Sequence, residues 1–390
     1  MKIQIKSGRG AKGDSARMMG VNLQNAGITD FAGNRIDQSS LSDKFIGLYK
    51  NFIRKPNGSE SYHIKNVNDP DMQILMSEMF PEMPEYVGHD ITWPPQLPTE
   101  SIYEWVTPRL KRIAVFNEPP MHTGPGKEFQ SVSQCVNMME DVYDTLRDLQ
   151  PIMFFHSGKP EVLDLPDISE KGKRMHREYL DYMGAAVKHG KLPARIATTH
   201  KLEPGYGADK TAFYNKLINQ YQGYFGQDVE LLFHEYKYAR SENDSLLQVQ
   251  LVMEFLLAMS RIIYERPGSV AGGSFQTISG PGTTNIFGLD NPNRPQWQTG
   301  GMYNLWTLIH EIMVDGLYVE SVITDRPAEV QAEVFLVDNN FRLLFNNFSN
   351  SDVRLQLPAN TMRYIDSSLT VKEQSYTRYL PAKTAGVLYA

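Results

Sequence analysis

The sequence contains one cysteine, Cys135, in 390 residues. No intramolecular disulfide is possible, so the fold cannot depend on oxidation. Cys135 lies in an apolar helical stretch with Val132, Val136 and Met139 and reads as a core residue rather than a nucleophile. No run of about 18 apolar residues is present, so no transmembrane helix and no membrane partner are expected. A basic excess is also missing. The net charge is −6 and the pI about 5.9, which argues against a nucleic-acid partner. Met1-Lys2-Ile3-Gln4-Ile5-Lys6 is not followed by the apolar stretch of a signal peptide. No Cys/His cluster has ligand spacing, so neither a catalytic metal nor a cofactor is implied. Repeats and low-complexity tracts are absent.

What is present is a strong alternation of short apolar runs and longer amphipathic ones. From residue 112 onward, strands are predicted at 113–117, 151–156, 194–200, 229–234 and 269–275. Helices are predicted between and after them at about 127–149, 168–189, 209–224, 244–265 and 300–315. That rhythm defines β/α units on a parallel sheet. The first 112 residues hold three further units. Their strands are predicted at 18–23, 61–65 and 86–91, and their helices at 41–53, 71–80 and 99–111. Eight units close a (β/α)8 TIM barrel, an α/β fold.

After about residue 318 the pattern changes to short strands separated by Asn-, Asp- and Ser-rich turns: 333–337, 341–345, 353–357 and 386–389. Asp338-Asn339-Asn340 is a hairpin turn. We read 18–317 as the barrel and 318–390 as a small C-terminal antiparallel β-sandwich, joined by an N-terminal strand within residues 1–7.

Two runs carry the chemistry. Arg112-Ile113-Ala114-Val115-Phe116-Asn117-Glu118-Pro119 is an apolar strand ending in an amide and a carboxylate. Val229-Glu230-Leu231-Leu232-Phe233-His234-Glu235-Tyr236 is an apolar strand that also ends in a glutamate. In a β/α barrel the carboxyl ends of strands carry the reacting groups. Units four and seven face each other across the mouth. Two carboxyl groups there, roughly 5–5.5 Å apart, are what retaining glycoside hydrolysis uses. The bland alternative is that Glu118 opens a loop and Glu235 is a solvated strand end.

With these runs the chain resembles clan A of the glycoside hydrolases, whose (β/α)8 members carry Asn-Glu at the end of strand four and a glutamate at the end of strand seven. The resemblance implies that Glu118 is the acid/base, that Asn117 bonds the sugar 2-hydroxyl and that Glu235 is the nucleophile. It also implies a polysaccharide or oligosaccharide partner and a secreted or periplasmic setting. Tyr264-Glu265-Arg266-Pro267 is similar to a segment of agarase- and porphyranase-like enzymes, notably glycoside hydrolase family 86. The chain departs from the clan at strand two, where Lys65, or Arg54 before it, stands in place of the usual arginine. It departs again at strand eight, which ends Ser274-Phe275-Gln276 without a tryptophan.

Other residues read two ways. His156, His200 and His234 at strand ends are either mouth residues or structural hydrogen-bonding groups. Tyr206 and Tyr236 either orient the nucleophile or pack under loops. Trp93 and Trp297, with Tyr238, are sugar-stacking platforms or loop anchors. Loop 276–300, rich in Gly, Pro, Asn and Thr, is long enough to be a cleft wall or a protein contact. Gly8-Arg9-Gly10-Ala11-Lys12-Gly13 matches a dinucleotide fingerprint but lacks the helix and acid that such a site needs. His234-Glu235 begins a zinc-protease motif whose second histidine is replaced by Tyr238. A second reading of the whole chain is a non-catalytic carbohydrate-binding or assembly protein on a hydrolase-like barrel.

Overall fold

The computed structural model describes residues 3–5, 14–23, 62–65, 86–91, 110–115, 130–146, 152–156, 160–164, 166, 168–192, 196–200, 209–236, 245–275, 279–281, 287–289, 297–319, 321–323 and 328–389. For His156, His200, His234, Glu235 and Trp297 it is the backbone position that is described.

A first short strand, β1 (Ile3–Ile5), precedes a 3₁₀ turn at Asp14–Met18. Eight parallel strands follow: β2 (Gly20–Leu23), β3 (Tyr62–Lys65), β4 (Tyr86–Ile91), β5 (Leu110–Val115), β6 (Ile152–His156), β7 (Ile196–His200), β8 (Glu230–Tyr236) and β9 (Val270–Phe275). They pair in chain order, and β9 returns to β2 through Gly20↔Ser274 and Val21↔Phe275, so the sheet is a closed barrel. The run Leu231-Leu232-Phe233 is apolar on both faces, and all three residues are buried, as in a parallel strand covered on both sides. The segment expected to be helical over 99–111 gives way by Leu110 to β5. The helices predicted at 41–53 and 71–80 lie outside the described residues.

The described helices are α1 (Val132–Leu146), α2 (Glu170–Lys188), α3 (Lys210–Phe225), α4 (Ser245–Glu265) and α5 (Gly301–Asp315). Ser169 Oγ accepts from the Gly172 amide at the start of α2, and Asp209 Oδ1 accepts from the Ala212 amide at the start of α3. Each of these caps is worth about 1 kcal/mol. Gly184 lets α2 approach α3 closely, since a Cβ there would lie 2.5 Å from the Tyr224 carbonyl oxygen. Cys135 is fully buried in α1, and burial pushes its thiol well above the ordinary range.

Helix α4 has the length and mean hydropathy, 1.6, of a membrane span, yet 83% of that apolar window is buried inside the molecule. It is apolar all round because it is covered all round. Helices α3 and α5, the 3₁₀ turn and the C-terminal strands pack against it.

The 3₁₀ turn sits over the outer face of β9, where Arg17 Nη1 donates to the Val270 carbonyl (3.0 Å). Gly272, at φ +151°, makes that approach possible: a Cβ there would stand 2.7 Å from the Arg17 carbonyl oxygen. Gly273 makes room for Met18 and Tyr236 in the same way.

Beyond β9 come three short strands, β10 (Ser279–Pro281), β11 (Phe287–Leu289) and β12 (Trp297–Thr299), which form their own small sheet. After α5 follow β13 (Leu317–Val319), β14 (Ser321–Ile323), β15 (Val330–Val337), β16 (Asn340–Asn347), β17 (Val353–Ile365), β18 (Val371–Leu380) and β19 (Thr384–Tyr389). Strand β14 pairs antiparallel with β1. The remaining strands form a six-stranded sheet in the order β13-β15-β16-β19-β17-β18. Asp338 and Asn339, with φ of 48° and 63°, make the two-residue turn between β15 and β16.

A small antiparallel β-sandwich joined by an N-terminal strand was the expectation. The described residues hold the β1–β14 pair and a six-stranded sheet, and that larger sheet has two different coverings. On one face Phe335, Val337, Leu344, Ala385 and Val387 join the main core. On the other, Val330, Ala332, Phe345 and Leu388 cluster with Val353, Leu355 and Leu380 of the β17–β18 hairpin. That hairpin carries a register irregularity between Arg354 and Ala359. Helices supply one covering layer, and the far part of the hairpin supplies the other.

Polar links cross between α4 and the sheet. Gln250 Nε2 donates to the Asn347 carbonyl (3.0 Å), and Asn346 Nδ2 donates to the Gln250 carbonyl (2.7 Å). Arg261 Nη2 meets Glu333 Oε1 at 2.8 Å, and the Tyr318 hydroxyl donates to Glu333 Oε2 at 2.7 Å. Gln331 Nε2 donates to Glu254 Oε1 (2.8 Å), and Lys210 Nζ lies 3.4 Å from Glu254 Oε2. Lys210 and Glu254 are each only 2% exposed. Burial pushes the Glu254 carboxyl up to about 7, against the pull of Lys210 and the Gln331 bond.

Two outcomes follow. Gly272→Ala lowers unfolding stability by about 1–3 kcal/mol, read from denaturant midpoints. Gly223→Ala, at a position in α3 with open space around it, gives no loss. Because the folded Glu254 pKa is raised, the folded state holds its proton over a window in which the unfolded chain has released it. Glu254 therefore costs stability as pH rises from about 4.5 to about 7. Glu254→Gln should match the wild type below pH 5 and exceed it above pH 7, by a gap of the order of 3 kcal/mol at most. Parallel stability–pH curves for the two proteins would show that Glu254 does not titrate in this way.

Candidate active site

The carboxyl end of the barrel is assembled from strand termini. Glu235 is the penultimate residue of β8, and its backbone partner on β7 is His200, the last residue of that strand. His156 closes β6 and pairs with Thr198. His234 precedes Glu235 in β8. The described strands thus bring His200 and Glu235 to one level on neighbouring strands, with His156 ending the next strand over. Strand β5 runs to Val115. Asn117 and Glu118 come two and three residues later in the chain and lie outside the described residues, as do Trp93, Tyr206 and Tyr238. Trp297 opens β12, opposite Leu289 of β11, within the segment that continues from the carboxyl end of β9.

The rim of β8 is held from behind by aromatic packing. Phe233 meets Tyr214 and Phe255 edge-on, with centroids 5.8 and 5.2 Å apart. Tyr236 lies 4.7 Å from Phe255 and 5.9 Å from Phe275, which in turn lies 5.3 Å from Trp306. These partners belong to α3, α4, α5 and β9, so Phe233 and Tyr236 both face the helices. Strict alternation would send residues three apart to opposite faces. The register shift between Phe233 and Tyr236 reconciles the two and marks a bulge at the strand end, a common device beside active sites. The Tyr236 hydroxyl donates to the Met18 carbonyl at 2.6 Å. Tyr236 is 2% exposed. Of the two roles the sequence allowed it, the one seen is packing, and it fixes the backbone on which Glu235 sits.

Tyr264, Glu265 and Arg266 occupy the end of α4 and the turn after it, which leads back to the start of β9 at the opposite, amino-terminal end of the barrel. Arg266 donates to Asn215 Oδ1 (3.0 Å) and Gln222 Oε1 (2.9 Å) of α3, and Tyr264 packs on Tyr318 at 5.1 Å. This segment ties helices together away from the mouth. Sequence reasoning did not pick out the Lys210–Glu254–Gln331 and Arg261–Glu333–Tyr318 groupings. A charged residue inside the apolar run 245–265 was the available signal. Among the described residues, no group of three or more His, Cys, Asp or Glu is placed to hold a metal ion.

No protein-family model matches the chain, and no curated protein sequence does. Solved structures do match, across the whole length. A conserved exported protein from Bacteroides fragilis superposes with a TM-score of 0.64 at 11% identity, covering 100% of both chains. A monomeric beta-xylosidase from Caulobacter crescentus gives 0.58 at 11% identity, over 99% of this chain and 98% of that one. A GH30 endoxylanase from Clostridium papyrosolvens gives 0.54 at 12% identity, over 100% of both. At such identities the likeness is one of fold alone.

Tyr236→Phe should lower stability by about 1–2 kcal/mol, because the Met18 carbonyl loses its buried donor. Denaturant midpoints read the loss, and an unchanged midpoint would show that this bond does not hold the strand end.

Proposed function

We propose that the chain is a retaining glycoside hydrolase acting on a polysaccharide. The observation that carries this reading is the closed barrel of eight parallel strands whose seventh strand carries Glu235 as its penultimate residue, with Asn117-Glu118 two and three residues after the fourth strand in the sequence. The whole-length fold likeness to a xylosidase and an endoxylanase supports it.

In this reading Glu235 attacks the anomeric carbon, forming a glycosyl-enzyme and releasing the leaving group. Glu118 protonates the leaving oxygen and then, as a carboxylate, takes a proton from the water that hydrolyses the intermediate. Glu118 begins protonated because the negative charge of the nucleophile opposes its ionisation. Asn117 bonds the sugar 2-hydroxyl. His156, His200, His234, Trp93, Tyr206 and Trp297 line or border the cleft. The sugar class is taken from the agarase- and porphyranase-like segment, so agar and porphyran stand beside xylan in the substrate panel.

The test is hydrolysis of that panel by wild type, Glu118→Gln and Glu235→Gln, with product anomers followed by NMR. Retention of configuration is expected. Glu118→Gln should lower kcat/KM of natural glycosides by about 10²–10⁴, and kcat/KM much less for aryl glycosides whose leaving group needs no proton, although their glycosyl-enzyme then accumulates for want of the base. Glu235→Gln should abolish turnover of both. Activity surviving both substitutions would reassign the carboxylates. A folded wild type that binds sugars and cleaves none of them would favour the carbohydrate-binding reading.

A further inference from the structure

Among the described residues only four large hydrophobic side chains are exposed, and the two most exposed, Tyr376 (64%) and Tyr379 (50%), lie three residues apart on β18. This strand is the outer edge of the C-terminal sheet, bonded only to β17. Each residue is at least half exposed, and neither ring stacks on another ring among the described residues. Tyr376 also has a left-handed backbone, φ 47°. That conformation is costly for a bulky residue and is tolerated where a function holds it. Thr377, buried between them, fixes the local shape: its hydroxyl donates to the Tyr379 carbonyl (3.0 Å) and accepts from the Tyr379 amide (3.1 Å). The fold therefore keeps two aromatic rings at the surface against both solvation and backbone preference.

The surroundings decide what they meet. Lys372, Glu373, Gln374, Ser375 and Arg378 on the same strand are all exposed, so the rings stand singly among polar groups, not in an apolar patch suited to a protein core. The left-handed residue also breaks the flat edge that another strand would need for pairing. A ligand with apolar ring faces and polar rims fits both conditions, and linked pyranose rings have that character. The ladder shifts between Arg354 and Ala359, opposite Thr377–Tyr379, and Thr377 and Leu380, also three apart, are both buried, so alternation slips here and the two tyrosines share the exposed side. Three residues of strand span about 10 Å, a separation that a chain of linked sugars bridges.

We propose that Tyr376 and Tyr379 form an ancillary binding surface for a neutral polysaccharide, outside the barrel mouth. In ligand class it rests on the polysaccharide reading above. It holds the polymer on the sheet while the barrel acts on it.

The test is affinity electrophoresis of the full chain in gels containing xylan, agarose or a mixed-linkage β-glucan. The parent carries Glu235→Gln so that the polymer is not consumed. Adding Tyr376→Asn and Tyr379→Ala should weaken retardation about tenfold, the effect of one to two stacking contacts. Asn accepts the left-handed backbone, so Tyr376→Asn alone should melt at or above the parent temperature. A tyrosine kept for stability would melt lower, and that result would count against the proposal. Equal retardation of parent and variant overturns it, as does a parent retarded by no polymer. So does a concentration-dependent dimer that the double variant loses, which would mean that a second copy covers the rings. Retardation that depends on the tyrosines, without any hydrolysis by wild type, would keep this surface and remove the hydrolase reading. Hydrolysis with unchanged retardation would do the reverse.

Discussion

Helix α4 is the element on which the rest of the molecule leans. It follows the candidate rim strand β8, lies against the barrel, and on its other side receives the C-terminal strands. Its apolar content is enough for a membrane span, yet the packing that surrounds it makes it the shared interior of two layers. Non-directional burial alone would leave the sheet free to slide over such a helix. The directional links prevent this. The reciprocal pair between Gln250 and the Asn346–Asn347 backbone and side chain, the Glu254–Gln331 bond and the Arg261–Glu333 ion pair fix one register of sheet against helix. Each is worth little net, but each would leave a buried polar group unpaired if the layers shifted.

That rigidity reaches the barrel mouth. Phe255 of α4 is the ring on which both Phe233 and Tyr236 rest, so the same helix that anchors the sheet backs the end of β8. The Tyr236 hydroxyl carries the restraint on to Met18, just before the first barrel strand. Gly272 and Gly273 are the steric permission for that closure. They stand just before Ser274 and Phe275, where β9 pairs with β2, and let the 3₁₀ turn lie close against that seam.

Much of this was legible in the sequence, for physical reasons that also explain the failures. The apolar runs at 229–234 and 269–275 read as strands because residues on both faces of them are buried, 151–156 read so by its apolar run alone, and 209–224 and 244–265 carried helical length. Strand β18 was invisible. Val371–Leu380 is exposed over most of its length, so neither alternation nor an apolar run marks it, and its pairing with β17 is set by tertiary context. The bulge at the end of β8 was equally hidden. Apolar alternation cannot show that Phe233 and Tyr236 face the same way, because one inserted residue leaves composition untouched. The buried Lys210–Glu254 pair left only the trace of one acid in an apolar helix, and its partner lies in a different helix.

The absence of any sequence match beside whole-length structural likeness at 11–12% identity follows from the same division of labour. A parallel barrel asks its strands only for apolar bulk and its helices only for an inward stripe, so almost every residue can change while the path of the chain persists. A strand end has no such freedom if it bears chemistry, since a carboxylate must stand at a set distance from its partner across the mouth. Fold likeness therefore says where to look, and the argument for activity has to be made on the rim itself. There the aromatic clamp behind Glu235 is informative. Burying Tyr236, bonding its hydroxyl and bulging the strand before it fix one short stretch of backbone at the strand end. If Glu235 reacts as proposed, that fixity serves it, because misplacement by about 1 Å can cost two orders of magnitude in rate.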